Sequence, residues 1–240
     1  EWGVDNPWEW ADAIAQSWRM GRDHTGIWSS TKAVIQSAAS IPSKYSGRPY
    51  GWNDMDMLET GNYKQAAHAN GKESNMTSLE YKTEFSMWAI AASPLVVTTP
   101  IMKCNKGNEG VTCAPTITDL QREILLNKEV LEINQDVTPQ GRPVVGDGKS
   151  SLKYWARLLS NGDIGVAFYN ENDEEDEFNF KFEWLTSGSD PIVPPSIAKI
   201  DHSTKASVRD LWEHKDLGSF TGSFPAQGEA IKVPAHGTMM

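Results

Sequence analysis

Two short stretches bring together the residue types that acid/base chemistry on a sugar requires. The first is Trp18-Arg19-Met20-Gly21-Arg22-Asp23 and the second is Gly51-Trp52-Asn53-Asp54-Met55-Asp56-Met57-Leu58. A carboxyl group on a loop beside an aromatic ring suits proton transfer to and from a glycosidic oxygen. Such a carboxyl has to keep its proton near working pH, which asks for a partly apolar surround. Arg19, four residues before Asp23, can orient a hydroxyl or tune that carboxyl. The competing reading is structural: an ion pair in one stretch and a loop cap in the other. Seven of the ten tryptophans fall in the first 100 residues: Trp2, Trp8, Trp10, Trp18, Trp28, Trp52 and Trp88. Their faces can stack on a sugar ring, and tryptophans equally fill cores. Only the neighbouring carboxylates favour the first use.

The elements that must position these stretches follow from periodicity. Tyr50–Leu58 reads as a strand end and loop. Thr77-x-x-Glu80 is a capping box, followed by Leu79, Phe85, Trp88, Ala89 and Ala92 on one helical face. Leu95–Thr99 is a short buried-strand candidate. Thr118-x-x-Gln121 opens another helix carrying Leu120, Ile124, Leu125 and Leu131. Strands alternating with helices up to Asp136 predict a parallel α/β architecture. Beyond the break at Gln140-Gly141-Arg142-Pro143 the texture changes. Tyr154–Leu158 and Ile164–Tyr169 flank Ser160-Asn161-Gly162-Asp163, a hairpin signal, and Phe178, Phe180 and Phe182 alternate as in a half-buried strand. Val208–Trp212, Ile231–Val233 and the closing His236-Gly237-Thr238 complete a set of antiparallel strands with no helix between them. Asp173–Glu177 reads as a solvated hairpin tip, with a calcium site as the alternative.

Composition bounds the rest. The chain has 240 residues, 39% of them apolar, with 19 Gly and 13 Pro, which fits a loop-rich globular protein of one large domain or two ordinary ones. No apolar run of about 18 residues is present, so no membrane-spanning helix is predicted. A net charge of −10 argues against a nucleic-acid partner and suits a neutral ligand; solubility explains it equally well. The chain opens at Glu1-Trp2-Gly3 with no Met and no leader pattern, which suggests a processed or partial chain. The only cysteines, Cys104 and Cys113, are spaced for a disulfide closing a surface loop; a zinc site wants more ligands and a redox motif closer spacing. Asn75-Met76-Thr77 is an N-glycosylation acceptor. Together the two favour a secretory route to a secreted or lysosomal/vacuolar location.

The ordered motifs resemble one family. Glu1-Trp2-Gly3, Ser17-Trp18-Arg19 followed by Asp23, Gly51 through Asn62, Phe85-Ser86-Met87-Trp88-Ala89-Ile90 and Glu132-Ile133-Asn134-Gln135-Asp136 are similar, in that order, to glycoside hydrolase family 27. These are the α-galactosidases and α-N-acetylgalactosaminidases. Val208-Arg209-Asp210-Leu211-Trp212 and Val233-Pro234-Ala235-His236-Gly237 resemble the family's C-terminal β-domain.

The resemblance implies the C-terminal half of a (β/α)8 barrel over residues 1–136, entered at the end of its fifth strand, and an antiparallel β-sandwich over 137–240. It implies Asp23 as the acid/base carboxyl, with Arg19, Asp56 and Met57 contacting the sugar and Asp54 capping the loop. Glu1 and Val4 fall where the family reads the substituent at C2, and a Glu followed by a bulky aliphatic looks like the galactose type. The substrate implied is a galactosylated oligosaccharide or glycoconjugate, hydrolysed without metal or organic cofactor.

Four departures from the family stand out. The nucleophile belongs to a Lys-x-Asp motif on the fourth strand, upstream of Glu1, and no such motif is expected within this chain, so a further polypeptide, the N-terminal half of the barrel, is expected to supply it. Met55 stands where proline is usual. Lys64–Glu73 reads as an insertion, and Thr98-Thr99-Pro100 replaces a more polar loop. The main expectation is a retaining exo-acting α-galactosidase. A non-catalytic glycan-binding or structural glycoprotein on the same fold is the alternative, and a preference for another sugar such as β-L-arabinopyranoside or N-acetylgalactosaminide is the third.

Overall fold

The computed structural model describes residues 3–46, 51–62, 73–107, 110–146 and 149–240. Two short strands, β1 (Ser17–Arg19) and β2 (Trp52–Asp54), pair in parallel, with Trp18 opposite Asn53 and Arg19 opposite Asp54. Between them runs α1 (Trp28–Ser40), whose Thr31, Val34 and Ile35 face inward. The pairing is locked by side chains. The indole of Trp18 donates to Asn53 Oδ1 at 2.9 Å, and Asn53 Nδ2 donates to the Tyr45 carbonyl and to Gln140 Oε1. Gly51 has to be glycine here, because a Cβ would sit 2.4 Å from the Trp18 ring.

The capping boxes form as expected. Thr77 Oγ1 accepts from Glu80 N and Glu80 Oε2 from Thr77 N, starting α2 (Ser78–Ile90). Thr118 and Gln121 do the same for α3 (Asp119–Leu125). The single helix expected from Thr118 to Leu131 is two. Asn127 accepts from the amides of Glu129 and Val130 and starts α4 (Lys128–Gln135) afresh. Helix α2 ends at Ile90, and Ala92 lies beyond it in a left-handed conformation. Leu95–Thr99 is not a buried strand: it makes one parallel bridge, Val97 to Leu58, and leaves Val96 and Val97 exposed. The physical reason is that among the described residues its backbone pairs in the manner of a strand with Leu58 alone, through Leu58 N to the Val96 carbonyl and Thr98 N to the Leu58 carbonyl.

A hairpin, β3 (Met102–Gly107) and β4 (Gly110–Pro115), carries the Cys104–Cys113 disulfide across directly opposed positions. Past Asp136 the chain is antiparallel. The strands β5 (Arg142–Gly146), β6 (Lys149–Leu158), β7 (Ile164–Tyr169) and β14 (Thr238–Met239) form a sheet in the order β14-β7-β6-β5. Phe178, Phe180 and Phe182 are buried, but they divide between two short strands and a 3-10 turn, because β8 (Asp176–Phe178) pairs with β13 (Ile231–Val233) and β9 (Phe180–Lys181) with β12 (Ser223–Phe224). A separate hairpin joins β10 (Lys205–Asp210) to β11 (Lys215–Thr221). The Asp173–Glu177 tip is solvated and engaged with bases: Lys153 meets Asp176 and Lys232 meets Glu175.

The four-stranded sheet serves two cores. From β6 and β7, Trp155, Ala167 and Tyr169 join α2 in one cluster, while Tyr154, Ala156 and Phe168 join Phe178, Phe180 and Phe224 in the other. The period of two in a strand makes this division automatic. Polar clasps reinforce the junction. Buried Arg157 donates to the carbonyls of Ile133, Asn134, Asp136, Thr138 and Pro139, closing the C-terminus of α4 onto β6. His236 stacks on Trp28 at 4.4 Å and bonds through its two ring nitrogens to Glu80 and Asp173.

Candidate active site

The carboxylates singled out above cluster at the C-terminal ends of the parallel strands. Arg19 ends β1 and Asp23 follows four residues on; Asp56 and Met57 follow β2. A single guanidinium nitrogen of Arg19 lies 3.2 Å from Asp23 Oδ1 and 2.8 Å from Asp56 Oδ2. The arginine therefore ties two loops that are 33 residues apart in the chain, and the structural ion pair and the candidate site are one object. Both oxygens of the Asp56 carboxylate are engaged, since Oδ2 also takes the His24 amide at 2.7 Å and Oδ1 the Met57 amide at 2.8 Å, which leaves Oδ1 room for a further donor. Its backbone is left-handed, with φ of 81°. Asp54 caps the loop: its Oδ1 accepts from the Asp56 amide at 2.8 Å. Burial pushes the Asp54 carboxyl above its ordinary value, opposed by that amide and by Arg19.

Asp23 differs from its neighbours in exposure. Its side chain is 45% exposed against 12% for Asp56, so the described residues do not form the apolar enclosure expected around an acid/base carboxyl. It lines an open cleft of about 360 Å³ with Trp8, Arg19, Arg22 and Ser37. Trp8 is thus the aromatic beside the carboxylates, whereas Trp18 and Trp88 are core residues. Val4 is exposed, and its neighbour Gly3 packs so closely that a Cβ would meet the Met20 carbonyl at 2.4 Å, which places this loop beside the end of β1. The Met57 side chain is exposed at the same mouth. Glu1, Trp2 and most of the expected Lys64–Glu73 insertion lie outside the described residues.

Two departures have local explanations. Met55 is buried and its amide donates to Ser93 Oγ at 2.9 Å, a bond that proline cannot make. Thr98 Oγ1 donates to the Leu58 carbonyl at 2.7 Å and Thr99 Oγ1 to that of Thr60, so this loop closes on the chain after β2. A Lys-x-Asp does occur at Lys199-Ile200-Asp201, contrary to the expectation that the chain has none. Ile200 packs against the sandwich core, so this is not the barrel-strand motif. Among the described residues no group of three or more His, Cys, Asp or Glu is arranged to hold a metal ion, and no helix is long and apolar enough to cross a membrane.

Sequence reasoning missed the layer beneath the site. His24 and Glu84 are both buried, with His24 Nδ1 standing 3.5 Å from Glu84 Oε1. The signal available was a histidine next to Asp23 and a glutamate opening the apolar run Phe85–Ala92.

Comparison with known proteins bears on the family. The family model described as "Alpha galactosidase A" matches residues 8–136, and "Alpha galactosidase C-terminal beta sandwich domain" matches 149–240. Alpha-galactosidase 3 of Arabidopsis thaliana is 34% identical over 233 residues, covering 96% of this chain and 44% of the relative. An α-galactosidase of Cyamopsis tetragonoloba is 31% identical over 95% of this chain and 46% of its own length. The crystal structure of α-galactosidase I from Mortierella vinacea superposes with a TM-score of 0.73 at 27% identity, over all of this chain and 55% of that one. The chain spans about half the length of the curated relatives it matches. With more than half of it matched by the first of these family models alone, the chain belongs to the α-galactosidase family of glycoside hydrolases.

Proposed function

We propose that this chain carries the acid/base side of a retaining exo-α-galactosidase acting on terminal α-linked galactose of an oligosaccharide or glycoconjugate. The observation that supports it best is the Arg19 guanidinium held between Asp23 and Asp56 at the C-terminal mouth of β1 and β2. Asp23, the more exposed carboxylate, protonates the leaving oxygen and then takes a proton from water. Arg19 and Asp56 bind sugar hydroxyls, Met57 lines the pocket, and Glu1 with Val4 read the C2 substituent. Double displacement needs a second carboxylate about 5–5.5 Å from the first. That nucleophile comes from an N-terminal half of the barrel, which also covers the exposed Val96 and Val97 edge and encloses Asp23. No metal or organic cofactor takes part. The Cys104–Cys113 disulfide and the exposed Asn75, as a glycan acceptor, support a secretory route.

The test is hydrolysis of an aryl α-galactoside by the full-length protein, with the anomer of the released sugar read by proton NMR. The expected result is turnover with retention, and a fall in kcat of about 10²–10⁴ for Asp23→Asn with little change in Tm. Galactose binding without turnover would instead establish the non-catalytic reading. Preferential turnover of the N-acetylgalactosaminide or the β-L-arabinopyranoside would overturn the sugar assignment alone.

A further inference from the structure

Under the Arg19–Asp23–Asp56 cluster lies a buried polar layer that the reaction itself does not require. His24 follows Asp23 and is 1% exposed; Glu84 sits inside α2 with no exposure at all. The His24 amide donates to Asp56 Oδ2, its Nδ1 lies 3.1 Å from the Met57 carbonyl, and its Nε2 lies 3.0 Å from Thr31 Oγ1. Glu84 takes the next part of the same loop. Its Oε1 accepts from the Glu59 amide and its Oε2 from the Thr60 hydroxyl, both at 2.8 Å. Trp88, one turn along α2, packs its ring on His24 at 5.0 Å and donates to the Asp56 carbonyl at 2.7 Å. Asp56, Met57, Glu59 and Thr60 are thus each held from below. A non-glycine residue in the left-handed region persists only where its surroundings over-determine it, and Asp56 is such a residue.

We propose that His24 and Glu84 are a buried positioning pair that fixes the 56–60 loop against the turn carrying Asp23, so that the site meets its sugar already assembled. The pair touches no substrate and acts through Asp56 and Asp23. The sugar part of this inference rests on the α-galactosidase reading; the coupling of the two loops does not. Preorganised groups matter to rate because misplacement at a reacting centre costs far more than it does in binding. Glu84 is a buried carboxyl with no arginine or lysine partner among the described residues, which is a cost to the fold unless its acceptor bonds offset it. Burial pushes Glu84 up to about 8, against its two acceptor bonds and assisted by the nearby Glu59.

Two readouts test the pair on the full-length protein. In Glu84→Leu, similar in size, kcat for an aryl α-galactoside, measured well below the lowered Tm that the unpaired Glu59 amide brings, should fall at least tenfold while KM changes little. Glu84→Gln, which can still accept from the Glu59 amide, should recover most of that loss. Independently of turnover, hydrogen exchange at the amides of His24, Met57 and Glu59 should accelerate in Glu84→Leu while the amides of α2 stay protected. If Glu84→Leu does not fold, His24→Phe, which keeps a ring on Trp88, carries both measurements. Unchanged exchange at these amides overturns the proposal, and so does a loss of kcat that merely follows the folded fraction. A wild-type protein without turnover sinks the enzymatic reading alone, because the exchange experiment still decides whether the loops are coupled.

Discussion

Asp23 and Asp56 are chemically the same group and are treated differently by the structure. Asp56 is locked by Arg19 and two amides, while Asp23 is ion-paired to Arg19 and more exposed, on the wall of the cleft. That difference suits a binding carboxylate and a proton-transferring one respectively. Glu84 is a third case, with consequences for stability. Its ordinary value is 4.5 and burial carries it to about 8 in the folded chain. Between those pH values the folded state holds a proton that the unfolded chain has released. Stability therefore falls as pH rises through this window, with a limiting slope of about 1.4 kcal/mol per pH unit from this group. Denaturant unfolding at pH 5, 6.5 and 8 should show the decline, and Glu84→Gln should flatten it. A slope unchanged by that substitution would mean that Glu84 is charged throughout. At this scale Arg19, Asp23 and Asp56 were legible because each sits in a short dense motif. The contact between His24 and Glu84 was not, since nothing local links positions 60 residues apart.

Helix starts were the most legible elements, and the reason is that a capping box is a local event. Thr77 and Thr118 each satisfy an amide that no helical carbonyl can reach, and each sits three residues before its Glu or Gln. Thr118→Ala should cost about 1 kcal/mol, measurable as a lower midpoint in urea with unchanged slope. The faces of α2 were less legible. It reads as one apolar stripe, yet all of its residues from Glu80 to Ile90 are buried except Lys82. Buried Thr83, Glu84 and Ser86 carry polar bonds, to the His236 carbonyl, the 59–60 loop and Trp212. A helix enclosed on every side has no polar face for a periodicity to reveal. The break between α3 and α4 escaped for a related reason. Leu120, Ile124, Leu125 and Leu131 keep helical spacing across it, and only Asn127 marks the restart.

At the scale of the molecule, the change of texture after Asp136 was visible, but the way the two halves join was not. The junction depends on Arg157, whose strand neighbours are apolar and whose partners are backbone carbonyls with no sequence signature. Burial lowers its guanidinium to about 10, opposed by Asp136, and it is matched to the carbonyl end of α4, where a cation is favoured. Arg157→Met leaves five buried or half-buried carbonyls without their donor. The expected cost is at least about 3 kcal/mol, or a Tm lower by roughly 6–12 °C for a chain of this size. Differential scanning calorimetry reads this directly. A shift below about 2 °C would show that water replaces the arginine at small cost.

The sheet whose two faces feed different cores has a further consequence, for how freely its part of the chain can be moved. Trp155, Ala167, Tyr169 and Met240 belong to the buried cluster that α2 centres, not to that of the sandwich. Residues 137–240 are consequently not a portable module. Grafted onto another barrel, they would demand a host helix shaped like α2, with a Ser86 to meet Trp212 and a Glu80 to meet His236.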